Sequence, residues 1–322
     1  MGTLALIGLG SNLGDRKAIL DRAVERLRQT PELLVRSVSA YHETRPVGGP
    51  AGQGPFLNAA AALETTLEPI ALLRRLQEIE ADAGRVRTVR WGERTLDLDV
   101  LLLGDDIIAT PELSVPHPRM ALRRFVLVPL EEIAPEARDP LTGRSMSELR
   151  ANLDRRPSYL ALEGWWSAPA KRPALEQLVA DLKTGCWSQR DLETLAPCLI
   201  NKASRKPFEL LEMTLEFLAS RNLSSFGDQW VVTDFTVADL AAAATARWGP
   251  LTRARRGSLV RRLATKDLEL IEPTFIVSAQ KPASDRPAVG AHLRSTPRLS
   301  LDSTDADQQV SEILAACAAT RP

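Results

Sequence analysis

Only three of the 322 residues are cysteine, at positions 186, 198 and 317. An odd number at wide spacing, with no neighbouring histidine, makes neither a disulfide framework nor a zinc site. Reduced thiols of this kind fit a cytoplasmic protein. Charge of one sign is not in excess either: 41 basic residues balance 41 acidic ones, for a formal net charge of +0. No global field therefore draws the chain to nucleic acid or a membrane. Long hydrophobic runs are missing, and the stretch from Val100 to Leu103 falls far short of the ~20 residues a membrane span needs. The apolar N-terminus has no basic n-region and runs into Gly-Ser-Asn, so no signal peptide is expected. Two nucleotide-binding signatures are absent as well. Gly8-Leu-Gly10-Ser-Asn-Leu-Gly14 does not have the G-x-G-x-x-G spacing, nor the Lys-Ser/Thr of a P-loop, and reads as a structural turn.

What is present is an ordinary soluble composition, 44% hydrophobic and 25% charged, on a chain long enough for two domains. Residues 3–9 read as a buried strand. Asp15 is placed to cap a helix running to about Arg28, with Ile19, Leu20, Ala23, Val24 and Leu27 as its buried stripe. Residues 34–41 alternate as a half-buried strand, and residues 45–55 hold too much Gly and Pro for regular structure. A second strand spans 56–64, and Pro69 opens a helix that Gly84 stops. A further strand covers 96–103, and Val126–Leu130 reads as an edge strand or strand end, since Pro129 argues against a central place. These elements do not alternate as βαβ, and the expected class is α+β with helices flanking a largely antiparallel sheet.

Pro157 marks the end of this domain, expected over residues 1–157. Residues 158–279 read as a mainly helical accessory domain, with helical spacing at 174–184, 207–220, 237–248 and 257–270. Residues 280–322 read as a partly disordered tail with a short helix-like segment at 308–319. The basic stretch from Arg253 to Lys266 reads as a solvated helix face, with nucleic-acid contact as the alternative. The expected role of this half is interaction with a protein partner or self-association.

The strongest chemical signal is Arg94-Thr-Leu-Asp97-Leu-Asp99-Val. Carboxylates two apart on a strand share a face, while Leu96, Leu98 and Val100 point to the core. Two like charges that close are tolerable with a cation between them. Magnesium takes one or two carboxylates plus substrate phosphates, so a hard divalent ion is the natural candidate. A strand face open to water is the bland alternative. Upstream, Arg85, Arg87, Arg90 and Arg94 surround Trp91 and match the charge of a triphosphate, or else form a basic surface loop. Gln77 and Glu80 lie one turn apart on the preceding helix, facing ligand or solvent. His117, fixed between Pro116 and Pro118, makes a credible phosphate contact, and Arg123 and Arg124 add charge.

Taken in order, Gly8–Asp15, Thr44-Arg-Pro-Val-Gly48, Phe56-Leu-Asn-Ala59, Gly84-Arg-Val-Arg87, Arg90–Asp99, Val115-Pro-His-Pro-Arg119 and Arg124–Leu130 resemble the hydroxymethyldihydropterin pyrophosphokinases. The resemblance covers roughly residues 3–150. It implies a three-layer α/β/α sandwich around a mainly antiparallel sheet, of ferredoxin-like type. It also implies transfer of pyrophosphate from the co-substrate ATP to 6-hydroxymethyl-7,8-dihydropterin, giving the pterin diphosphate and AMP.

By the same resemblance, Asp97 and Asp99 bind two magnesium ions and act in catalysis with Arg87 and Arg94, Asp97 being the candidate base. Gln77, Glu80, Arg87, Arg90, Trp91, Arg94, His117 and Arg123 line the ATP side. Thr44, Pro46, Val47, Phe56, Asn58, Trp91 and Phe125 line the pterin side. A flat heterocycle suits aromatic faces and an amide that pairs with its edge. Glu93 stands where the family usually has proline. The competing reading is a nucleotide- or RNA-binding protein that keeps a kinase-like site without turnover.

Overall fold

The computed structural model describes residues 2–47, 50, 52–85, 92–155, 158–163, 172–182, 185–187, 230–233, 274–278, 296–301 and 305–321. Two compact units divide the chain: Met1–Leu153 with Ala315–Pro322, and Asp154–Leu314.

The first unit opens with β1 (Thr3–Ser11), whose side chains alternate between two cores. Ala5, Ile7 and Leu9 enter one and Leu6 the other. Helix α1 (Arg16–Arg28) follows, and the Asp15 carboxylate accepts the Ala18 N–H at 3.0 Å as its N-cap. The five apolar residues of the expected stripe are its buried face. Next come β2 (Leu33–Val38), β3 (His42–Thr44) and β4 (Phe56–Thr65). Helix α2 (Pro69–Asp82) has proline at its start, and Gly84 leaves it at φ +75°, a conformation that costs glycine little. Strand β5 (Asp97–Leu103), the hairpin β6 (Ile108–Ala109) with β7 (Ser114–Val115), and helices α3 (Arg124–Ile133) and α4 (Met146–Asp154) follow.

The main sheet runs β2-β4-β1-β5, antiparallel throughout, with β3 also paired to β4. Leu20 and Leu27 of α1 and Leu72 and Leu76 of α2 pack on one face. Leu127 and Leu130 of α3 and Met146 and Leu149 of α4 pack on the other. This is an α+β unit with a helical layer on each side of an antiparallel sheet.

Two local expectations need correction. Residues 126–130 lie within helix α3, not in a strand, despite Pro129 inside it. A proline there costs about 3 kcal/mol. Val126, Leu127 and Leu130 are buried on one side, each contributing about 1.5–3 kcal/mol, so burial wins. Gly8 and Gly10 are not in a turn: β1 runs through both to Ser11, paired on each side.

The second unit contains a parallel sheet where the sequence reading expects a mainly helical domain. Its strands are β8 (Ser158–Glu163), β9 (Gly185–Trp187), β10 (Trp230–Thr233), β11 (Phe275–Ser278) and β12 (Arg298–Ser300). They lie in the order β12-β11-β8-β10-β9, every pair parallel. Leu160, Ala161 and Leu162 of β8 and Phe275, Ile276 and Val277 of β11 are all fully buried. Unbroken apolar runs of this length are what strands covered on both faces require, and they carry no alternation to distinguish them from helix. The ring of Trp230 meets Phe275 edge-on, with centroids 5.7 Å apart. Helix α5 (Arg172–Leu182) matches the helical spacing at 174–184, and α6 (Ala306–Ala319) the segment at 308–319. Strand β12 falls in the stretch read as a partly disordered tail. The helical readings at 207–220, 237–248 and 257–270, and the basic stretch 253–266, lie outside the described residues.

Candidate active site

The site is built on the sheet face that carries α3 and α4. Gly10 of β1 pairs with Asn58 of β4 on one side and with Asp97 of β5 on the other, while Gly8 pairs with Asp99. Strands lie about 4.8 Å apart, so Asn58 and Asp97 stand about 10 Å apart across one glycine. A Cβ on Gly10 would come within 3.3 Å of Asn58 Oδ1 and 3.9 Å of Asp97 Cβ. The glycines of the early motif thus clear a floor between an amide and a carboxylate.

On β5, Asp97 and Asp99 are partly exposed while Leu98 and Val100 are buried. The expected alternation is present. Asp97 is held from two sides: Arg85 Nη1 lies 2.8 Å from Oδ1, and Arg94 Nη1 donates to Oδ2. Arg85 also pairs with Glu80, which is buried and accepts the Leu98 backbone N–H at 2.7 Å. Glu80 therefore sits beneath the strand, joined to the site through Arg85, while Gln77 is exposed on α2.

His117 lies at the other end of the acidic pair, with Nε2 4.0 Å from Asp99 Oδ2. Its Nδ1 accepts the Arg119 backbone N–H at 3.1 Å, which leaves the proton of the neutral ring on Nε2, toward Asp99. Burial, with the charge of Arg123 nearby, pushes the His117 pKa down to about 3, so the ring is a neutral donor at physiological pH. Burial also holds the Arg123 guanidinium below its ordinary range, with Asp99 acting in the opposite sense and Arg119 adding to the effect. Arg123 lies over the Phe125 ring, 5.6 Å from its centroid.

A cavity opens above this floor. Among its lining residues are the charged groups Asp97, Asp99, Arg94 and Arg123 together with Thr44, Val47, Phe56, Asn58 and Phe125. Asn58 Nδ2 donates to Thr44 Oγ1 at 2.8 Å, which fixes the amide with Oδ1 toward Gly10. Gln77, Glu80, Pro46 and His117 do not line the cavity. Arg87, Arg90 and Trp91 lie outside the described residues.

The sequence reading gives no role to several lining residues, Gly10, Arg45, Gln53, Arg119 and Leu122, although Gly10, Arg45 and Arg119 lie within its motifs. Asn12, buried just behind, is another. Its side-chain oxygen accepts the Arg94 N–H at 2.7 Å, its own N–H donates to the Arg94 carbonyl at 3.1 Å, and its amide donates to Gln53 Oε1 at 3.3 Å. It lies within the Gly8–Asp15 motif, which gives it no role of its own. No group of three or more metal-ligating side chains occurs among the described residues. The two carboxylates, with cavity space over them, suit a hard cation that draws its remaining ligands from phosphate and water.

Residues 6–135 match the 7,8-dihydro-6-hydroxymethylpterin-pyrophosphokinase (HPPK) family. A Bacillus subtilis 2-amino-4-hydroxy-6-hydroxymethyldihydropteridine pyrophosphokinase is 48% identical over 143 residues, which cover 44% of this chain and 85% of that protein. The chain belongs to the HPPK family. Relatives of the same name from Pseudomonas aeruginosa and Methylorubrum extorquens are 46% and 45% identical, over 45% and 47% of this chain and 88% and 94% of theirs. The HPPK match ends within the first unit, and the parallel sheet of the second lies beyond it. Among the described residues, no helix is long and apolar enough to cross a membrane.

Proposed function

We propose that the cavity of the first unit is where this HPPK family member performs the family's reaction, ATP-dependent pyrophosphoryl transfer to 6-hydroxymethyl-7,8-dihydropterin in folate biosynthesis. The observation that carries the assignment of roles is the row Asn58–Gly10–Asp97, which sets a heterocycle-pairing amide and a phosphate-side carboxylate in one cavity. The pterin lies between Phe56 and Phe125 with its edge on Asn58, and its hydroxymethyl group points along the floor toward Asp97. Asp97 and Asp99 would hold magnesium, two ions by the family pattern, and the metal would supply neutralisation of charge on the transferred group.

In the step itself, the hydroxymethyl oxygen bonds to the β-phosphorus of ATP as the bond from that phosphorus to the α,β-bridging oxygen breaks. AMP leaves with the bridging oxygen. Most of the acceleration comes from alignment and charge neutralisation. Arg85 and Arg94, which satisfy Asp97 in the present arrangement, turn to phosphate oxygens when these arrive. Asp97 is then released to take the hydroxyl proton. His117 donates from Nε2 to a phosphate oxygen, and Arg87, Arg90 and Trp91 complete the ATP side. The second unit is accessory to this chemistry, a surface for a protein partner or self-association, in a cytoplasmic protein.

The test is release of AMP by the full chain with ATP, magnesium and 6-hydroxymethyl-7,8-dihydropterin, beside a version ending near residue 157. Equal pterin-dependent AMP from both supports the assignment and the accessory role. No AMP from either favours the binding-only alternative. Activity confined to the full chain brings the residues after 157 into the mechanism, among them the first unit's own Ala315–Pro322, of which Ala315, Ala316 and Ala319 line the cavity.

A further inference from the structure

Arg119 lines the same cavity as Asp99 and Arg123, yet the motif reading gives it no role. Its backbone is fixed at both ends of the residue: the N–H donates to His117 Nδ1 at 3.1 Å, and the carbonyl accepts the Leu122 N–H at 3.2 Å. The guanidinium is thus carried by a main chain that cannot easily swing away. Its charge reaches both His117 and Arg123, disfavouring a proton on each, so the three groups share one electrostatic neighbourhood. Two guanidiniums that repel each other there are stabilised by a multivalent anion between them.

We propose that Arg119, paired with Arg123, is a phosphate-binding residue of this site, and that it grips the β and γ phosphates of the nucleotide and the diphosphate of the product. Arg85 and Arg94 approach from the Asp97 end, so the polyphosphate is held from two sides with the acidic pair between. This assignment rests on the pyrophosphokinase reading of the cavity. It separates the contacts that recognise the transferred group from those that recognise the AMP portion.

The experiment measures binding of a non-hydrolysable ATP analogue with magnesium, and of AMP, to the full chain carrying Arg119→Ala or Arg119→Lys. Hydrogen bonds to a charged group contribute about 1.5–3 kcal/mol, so Arg119→Ala should weaken the analogue by about tenfold or more. AMP, which lacks the gripped phosphates, should bind within about twofold of wild type. Lysine keeps the charge but loses the fork, and should recover part of the loss. Unchanged analogue binding, or equal weakening of AMP and analogue, would overturn the proposal. Because the backbone bonds of Arg119 persist in both variants, a general loss of fold would show as a lowered melting temperature shared by the two. Pterin-dependent AMP release by the wild type, measured alongside, tells failure of this assignment from failure of the pyrophosphokinase reading.

Discussion

Glu80 accepts the backbone N–H of Leu98 at 2.7 Å, and so ties helix α2 to the strand residue between the two aspartates. The carboxylate is 3% exposed and is paired with Arg85. Removing it leaves the Leu98 amide donor without this acceptor and Arg85 without one of its two carboxylate partners. Loss of one partner of a buried pair costs about 3–5 kcal/mol. Glu80→Ala should therefore lower stability on that scale in urea unfolding, whereas Glu80→Gln keeps an acceptor for Leu98 and should lose less. A melting curve for Glu80→Ala that overlays the wild type would remove Glu80 from this structural role.

The acidic pair itself should be separable from the fold. Asp97→Ala and Asp99→Ala are each expected to abolish AMP release while leaving a cooperative unfolding transition. The two differ in what they leave behind. Asp97 is paired directly with Arg85 and Arg94, while Asp99 lies 4.0 Å from His117 and acts on Arg123 through its charge. Asp97→Ala should therefore be the less stable variant. Turnover at wild-type rates in both would dismiss the metal-binding assignment.

Gly10 offers a test aimed at the pterin end. An added Cβ would meet Asn58 Oδ1 at 3.3 Å, closer than ordinary contact, and project into the floor between amide and carboxylate. Gly10→Ala should raise KM for the pterin with little change in KM for ATP. Steady-state kinetics with each substrate varied in turn provides the measurement. An equal rise in both, or in neither, would mean that the floor at Gly10 does not shape the pterin side.

The first unit was legible where side-chain period, capping and motif order agreed. Asp15 heads a helix with its five apolar residues on one face, and Leu96, Leu98 and Val100 alternate with Asp97 and Asp99. The early glycines were harder. Taken alone, Gly8-Leu-Gly10 suggests a turn, and only the pairing of β1 with strands from distant sequence reveals that Gly10 stands between Asn58 and Asp97 with no side chain of its own. Helix α4 was passed over despite its signal. In Ser145-Met-Ser-Glu148 the Ser145 hydroxyl accepts the Glu148 N–H and the Glu148 carboxylate accepts the Ser145 N–H, a reciprocal capping box. The strands of the second unit were missed for a physical reason: Leu160–Leu162 and Phe275–Val277 are short apolar runs, and burial on both faces erases the alternation that would have marked them.

Tyr41 gives the chain a stability that alkali should withdraw. Its hydroxyl donates to Asp21 Oδ1 at 2.8 Å, and its pKa is pushed up to about 12 by partial burial, with the bond to Asp21 adding to the shift. An unfolded tyrosine ionises near pH 10. Between pH 10 and 12 the folded form keeps a proton that the unfolded form has lost, so the unfolded state gains relative stability as pH rises. The contribution is fully present below pH 10 and is lost as pH climbs through about 12. Tyr41→Phe lacks both the bond and the ionisation. Its stability should lie below wild type at pH 9, and the gap should narrow steadily to pH 12. Comparing the two proteins at each pH cancels the titration of groups they share. Urea midpoints at pH 9, 10, 11 and 12 measure the gap, and curves that stay parallel across that window would show that Tyr41 ionises equally in both states.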